Sequence, residues 1–255
     1  MASLNKLAIA THKGGVGKTT TSINLAHGIA MEGQRVLVVD LDPQAHASRS
    51  LGIEVEYSAP SVADLFTRRG RPDVQDLIQP NIRAGLDVLP ASIRLAAAAE
   101  NAVTIIRREN LLREALTAVE RDYDLIVIDT APGLGVLMAN AIEAADRIII
   151  PVDSGARSVD GLGDFLDLVY DLRGTTFKRW RILRTMVNKS ATKTERQLLE
   201  RIEKYDKRLL ASRIHKSEIA NQSQYSTETV FEYRKSSSVA QDYRSLCSEV
   251  REIIN

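Results

Sequence analysis

The sequence predicts an α/β fold built on a single doubly wound, mostly parallel sheet with helices on both faces. Three observations carry this. Short runs dense in Ile, Val and Leu recur along the chain, and most are followed by a longer stretch with apolar residues at helical spacing. The short runs are almost continuously apolar, as strands covered on both faces must be, whereas half-exposed strands alternate. Between the first such run and the first helical stretch lies a glycine-rich turn at residues 11–21.

Taken in order, the first strand is read at Leu7–Ala10. The helix over Thr20–Glu32 carries Ile23, Ala26, His27 and Ala30 on one face and is stopped by Gly33. Val36–Val39 is the second strand. Residues 51–85, interrupted by Pro60, Gly70, Pro72, Pro80 and Gly85, read as a peripheral insertion with one or two short helices. Further strands are expected at Leu86–Leu89, Leu125–Ile128, Ile148–Val152 and Ile182–Val187. The helices expected are Leu111–Glu120, Val136–Ala145, Leu162–Leu172, Thr194–Tyr205 and Val239–Ile254. There is no internal repeat, low-complexity tract or interdomain linker, so residues 1–255 read as one domain.

Bulk properties narrow the function classes. Of the 255 residues 44% are hydrophobic and 26% charged, enough to bury a core without disulfides or metals. Cys247 is the single cysteine, which rules out an internal disulfide and any site built from several thiolates. The apolar run near the start is too short for a signal-peptide core, and no stretch approaches the roughly 20 apolar residues that span a bilayer. A cytoplasmic protein is expected. Charge is unevenly spread: residues 1–171 hold 16 Lys+Arg against 23 Asp+Glu, and residues 172–255 hold 18 against 10. Within 172–216 the count is 14 basic to 4 acidic. That asymmetry suits a polyanion partner, although solvated helix faces would give the same count.

The stretch THKGGVGKTTT has the strand–turn–helix context of a phosphate-binding loop. Gly14, Gly15, Val16 and Gly17 form the turn, whose N–H groups face phosphate oxygens together with the positive end of the following helix. Lys18 is placed to reach the β- and γ-phosphates of ATP, Thr19 to ligate Mg²⁺, and Thr20 to line the helix entrance. Asp40 and Asp42, in VLVVDLDPQ, fall at the carboxyl end of a strand, where open α/β sheets hold ligands. In YDLIVIDTAPG, four apolar residues lead to Asp129, a pattern that holds Mg²⁺.

One position departs from the usual loop. Its opening glycine is replaced by His12, and Lys13 adds a second cation. The form KGGVGKTT resembles the deviant Walker motif of the ParA/MinD family of ATPases, in particular the short Soj-type ParA proteins that lack an N-terminal helix-turn-helix. Similar segments continue through LPASIRLAAAAE, NAIEAADRIIIPVD and TMVNK. The resemblance implies a phosphate-loop NTPase fold that dimerises with ATP, with Lys13 reaching the nucleotide of the partner subunit. It implies that Asp42 positions the attacking water, that Asp40 lies near the Mg²⁺ shell, and that residues 130–135 sense the γ-phosphate. Asn188 should contact adenine, while the proline expected beside the second adenine contact is replaced by Ala211 or Ser212.

Two kinds of output fit such a switch. One is a dimer that binds double-stranded DNA without sequence preference, through Lys189, Lys193, Arg213, His215 and Lys216. A ParB-like protein or cargo adaptor with a basic tail then stimulates hydrolysis. The other is a MinD-like membrane switch. The tail YRSLCSEVREIIN places Leu246, Val250, Ile253 and Ile254 at helical spacing, but Glu249 and Glu252 stand where a membrane helix carries lysines. It reads as a helix packed on its own domain, so no membrane partner is expected. Trp180, among Lys178, Arg179 and Arg181, reads as edge cover rather than a base-stacking platform.

Overall fold

A computed structural model describes residues 5–54, 56–67, 70–153, 155, 159–188 and 193–254. In chain order its elements are β1 (Lys6–Ile9), α1 (Lys18–Ala30), β2 (Val36–Leu41), α2 (His46–Ser50), β3 (Gln79–Arg83), β4 (Leu86–Leu89) and α3 (Arg94–Ala102). These are followed by α4 (Leu111–Leu116), β5 (Leu125–Thr130), α5 (Val136–Ala144), β6 (Arg147–Asp153), α6 (Asp160–Arg173) and β7 (Trp180–Val187). The chain closes with α7 (Lys193–Ile202), β8 (Leu209–His215), α8 (Glu218–Tyr225), α9 (Val230–Arg234) and α10 (Ser238–Ile254).

The strands form one sheet in the order β3-β4-β2-β5-β1-β6-β7-β8, parallel except where β3 runs against β4. The near-continuous apolar runs pack both ways, as expected. Ala8, Val39, Ile128 and Ile150 point into one core with α3 to α6, and Ile9, Val38, Val127 and Ile149 point into the other with α1 and α10. Each fully buried Val or Ile among them contributes about 1.5–3 kcal/mol relative to exposure. The sheet order turns at β1, so the carboxyl ends of β1, β2 and β5 frame the crevice where such folds bind ligands.

Several elements were not expected. β3 contains Pro80, which removes a ladder donor, and it survives because it lies at the sheet edge. β8 alternates buried Leu210, Ser212 and Ile214 with outward residues because it is the opposite edge, so no continuous apolar run marked it. Within the insertion, where one or two short helices were expected, 3₁₀ turns cover Val62–Leu65 and Val74–Leu77. α10 lies on β8 and α1 with Val239, Tyr243, Leu246 and Val250 buried, the packed position expected for the tail. The approach of α10 to α1 is tight: a Cβ at Gly28 would stand 2.6 Å from Cys247 Sγ and 3.0 Å from the Phe231 ring.

Candidate functional site

β1 delivers the chain to the crevice, and the turn over residues 14–17 reverses it into α1. Gly15 and Gly17 hold φ of 74° and 80°, a region that penalises any side chain, so both positions need glycine. The turn is fastened from three sides. Thr185 donates to Val16 O (2.9 Å), Gly133 N donates to His12 O (3.0 Å), and Thr130 ties the end of β5 to Ile9 O (3.0 Å). A preorganised ring of N–H groups at the amino end of a 13-residue helix is an anion site.

Lys18 is buried at the helix start and donates to Lys13 O at 2.8 Å. Burial pulls its pKa below the ordinary lysine value, and Asp129 and Asp42 oppose that shift. Thr19 Oγ1 donates to Asp129 Oδ2 and Ser22 Oγ to Asp129 Oδ1, each at 2.8 Å. β2 and β5 run further than their apolar runs suggest, so Asp40 and Asp129 become register partners inside the sheet. Both are fully buried. Burial, and to a lesser extent the neighbouring carboxylates Asp40 and Asp42, push Asp129 up to about 7. Asp40 is pushed up to about 6 by burial, against the hydrogen bonds it accepts.

Those hydrogen bonds correct the expectation for Asp40. Its Oδ1 accepts from Asp42 N (2.9 Å), and its Oδ2 accepts from Ser48 N and Ser48 Oγ (both 2.8 Å). Asp40 is therefore turned into the protein and positions Asp42 instead of facing a metal. Asp42 lines the cleft, accepting from Gln44 N (2.9 Å) and meeting His46 Nδ1 (2.7 Å). The Thr19 hydroxyl and the Asp129 carboxylate, hard oxygen donors beside the phosphate loop, suit Mg²⁺. Held by these two residues, a divalent cation would supply charge neutralisation to the phosphates.

The cleft holds about 660 Å³ and is lined by Gly14, Gly15 and Gly17 to Thr20, with Asp42, Pro132, Met186 and Gln224, whose side-chain amide donates to Thr20 Oγ1 (3.1 Å). Asn188, two residues beyond Met186, is exposed and is not among the residues lining this cleft. Ala211 and Ser212 sit in mid-strand with their N–H groups on Glu249 (2.7 and 2.8 Å), and neither lines this cleft. Lys13 does not lie along the loop floor; its ammonium pairs with Asp153 at 2.8 Å. A larger hollow of about 920 Å³ between residues 57–77 and α3 has no phosphate loop, and its Arg94 and Asp64 bind each other.

Among the expected nucleic-acid contacts, Lys193, Arg213 and Lys216 are exposed. His215 instead gives both its backbone N–H and its ring Nδ1 to Asp242 at 2.9 Å. Lys189 lies outside the described residues. Trp180 is buried under Arg208 and edge-on to Tyr205, the edge-cover role expected. Sequence reasoning missed Ser22, His46, Ser48, Asp153, Met186 and Gln224. His46, at i+4 from Asp42, and Ser22, one helical turn after Thr19, had spacings that could have revealed them.

A parallel sheet, a glycine turn at its switch point and a Thr–Asp pair beneath the turn define a phosphate-loop nucleotide-binding protein. A family model described as an AAA domain matches residues 4–182. The sporulation initiation inhibitor protein Soj of Bacillus subtilis is 41% identical over 202 residues, covering 78% of this chain and 79% of that one. The chromosome partitioning protein ParA of Myxococcus xanthus is 37% identical over 205 residues, covering 79% and 71%. In structure, the chain is similar to a cobyrinic acid a,c-diamide synthase of Mycobacterium smegmatis solved with an ATP analogue and magnesium. That likeness has a TM-score of 0.83 at 29% identity and covers 97% and 94% of the two chains. The chain belongs to the ParA/MinD-type family of partition ATPases, with ATP as substrate and Mg²⁺ as cofactor.

Proposed function

We propose that ATP closes two copies of this chain, cleft to cleft, into a dimer that binds double-stranded DNA without sequence preference. A ParB-like or cargo-adaptor protein with a basic tail then stimulates hydrolysis and releases it. Cycles of this kind position a plasmid, a chromosome or a protein cargo in the cytoplasm, on the nucleoid. The observation that carries this reading is Lys13, a second cation at the front of the loop, paired with Asp153 at the end of β6. A group so placed can exchange one anionic partner for another when a second subunit brings its phosphates near. Within each subunit Lys18 and the loop N–H groups bind phosphate, Thr19 and Asp129 hold the metal, and Asp42 orients water under the control of Asp40 and His46.

Lys193, Arg213 and Lys216 give each subunit a basic surface at the carboxyl end of β7 and β8. One such surface neutralises few phosphates, and salt screens it. Joining two makes the second contact intramolecular, so dimerisation switches binding on without any change inside the surface. For about four to six phosphates, log affinity should fall with log salt at a slope of roughly −4 to −5. The MinD-like alternative needs a free amphipathic helix, and α10 has its apolar face covered. The test is a salt titration of labelled random-sequence duplex with ATP, ADP and no nucleotide, run beside anionic liposomes. Equal DNA binding in all three states would remove the switch. ATP-dependent liposome binding without DNA binding would favour the membrane reading.

A further inference from the structure

The opposite end of the same strands carries a second concentration of cations. β6 opens on Arg147, and Arg179 and Arg181 flank the first residue of β7. Arg181 registers with Ile149, two residues along from Arg147, so Arg147 and Arg181 share a sheet face. Arg208, just before β8, completes the group by lying over the Trp180 ring at 5.0 Å. Arg179 is exposed and the other three are half-buried.

This charge is only partly offset: Asp146 and Glu249 act on Arg147 and Arg181 from a distance, and Arg181 and Arg208 each donate to a backbone carbonyl, of Trp180 and Lys178. Among the described residues, no carboxylate lies within ion-pair distance of any of the four, and Arg147 Nε is buried without a partner. The nearby carboxylates are engaged elsewhere: Asp146 accepts from Lys6 N at 3.0 Å and pairs with its ammonium, and Glu249 accepts from the N–H groups of Ala211 and Ser212. The cations also press on one another. The pKa values of Arg147 and Arg181 are lowered first by burial, then respectively by Arg179 with Arg181 and by Arg208, with Asp146 and Glu249 opposing the shift more weakly. Holding like charges together is unfavourable unless something else offsets it.

We propose that the amino-terminal edge of β6, β7 and β8, with Arg147, Arg179, Arg181 and Arg208, is a second contact surface for the phosphate backbone of nucleic acid. Guanidinium groups bind phosphate through a planar, two-pronged donor set that lysine lacks. The aromatic groups here, Trp180 and Tyr205, lie beneath or beside cations and do not stand out as anchors, so the surface suits a nucleic acid better than a bilayer. A seven-residue strand separates this edge from the cleft by about 20 Å. Dimerisation through the cleft leaves it free on each subunit. The surface therefore supplies the part of DNA affinity that does not depend on nucleotide. It rests on the reading of nucleic acid as the polyanion, but not on the ATP switch.

The test uses the full chain and labelled random-sequence duplex, titrated with salt in ADP and in ATP. Arg179→Gln with Arg181→Gln should flatten the log–log salt slope by about 2 in both states, about 0.9 for each phosphate no longer neutralised. Arg179→Lys with Arg181→Lys should restore most of the slope. Thermal melting verifies that each variant is folded. Lys193→Glu with Arg213→Glu should remove the increment that ATP adds, and the Arg179 and Arg181 effect should persist in ADP, so a missing increment in the wild type sinks the switch and leaves the ADP comparison readable. Unchanged slopes in the Gln pair would overturn the proposal, as would equal losses in the Gln and Lys pairs, or no binding by the wild type in ADP at low salt. Loss of binding to phosphatidylglycerol–phosphatidylcholine vesicles with DNA binding intact would assign the surface to membrane instead.

Discussion

At the residue scale, the site depends on a few groups held where water would otherwise compete. Lys18 is buried, and its ammonium rests on the carbonyl of Lys13 until phosphates arrive. Lys18→Ala removes the buried cation held against the loop, so ATP binding should vanish in calorimetry; retained micromolar affinity would mean the loop is not the phosphate site. Asp42 differs, because it lines the cleft with its carboxylate on Gln44 N and His46. Asp42→Ala should still bind ATP while hydrolysis falls by about 10²-fold or more, since positioning is what phosphoryl transfer draws from the protein. Single-turnover phosphate release measures this, and wild-type partner-stimulated turnover would move the role elsewhere. Lys18 and Asp42 were legible because the loop spacing and the strand-end position are local patterns. Asp40 was misjudged because its partner Ser48 lies eight residues on, in a helix the sequence did not mark.

At the element scale, α1 links the site to the rest of the chain. It carries the loop at its amino end and packs against α10 along its length. Gly28 permits the close approach, since a methyl there would meet Cys247 Sγ and the Phe231 ring. Gly28→Ala should lower the urea midpoint: overpacking costs about 1–3 kcal/mol, and better helix propensity returns at most about 1 kcal/mol. Cys247→Ala in that background should recover stability, because it removes the nearer clash. A Gly28→Ala protein as stable as wild type would show that α10 can move aside. The pairing itself was foreseen from the apolar spacing of the tail, whereas its tightness depends on which atoms of two distant helices face one another.

At the scale of the whole molecule, the question is how one subunit senses another. Lys13 is paired with Asp153, from the end of β6, and both lie at the cleft side of the sheet. Lys13→Gln should leave ATP binding by the single subunit largely intact, yet weaken ATP-dependent dimerisation and hydrolysis. Light scattering with a slowly hydrolysed ATP analogue reports the dimer, and an undiminished dimer would remove Lys13 from that role. Sequence reading singled out Lys13 from the motif, but Asp153 was invisible. Nothing local connects two residues 140 apart until the sheet places β1 beside β6.

The sequence alone determined what is written in short-range patterns. Near-continuous apolar runs specified parallel strands, and glycine at fixed offsets before Lys18–Thr19 specified the phosphate turn. Strand ends marked the acidic residues. Those signals survive in one dimension because they arise from backbone geometry and from the period of each element. Tertiary structure decided what depends on contact between distant segments: Asp40 facing Ser48, Met186 and Gln224 joining the cleft wall, and Asp153 holding Lys13. It also decided that the arginines opening β6 and β7 meet without a carboxylate paired to them. Edge strands belong to the same class, because whether a strand is half-exposed depends on its neighbours. β8 alternates only because the sheet ends there.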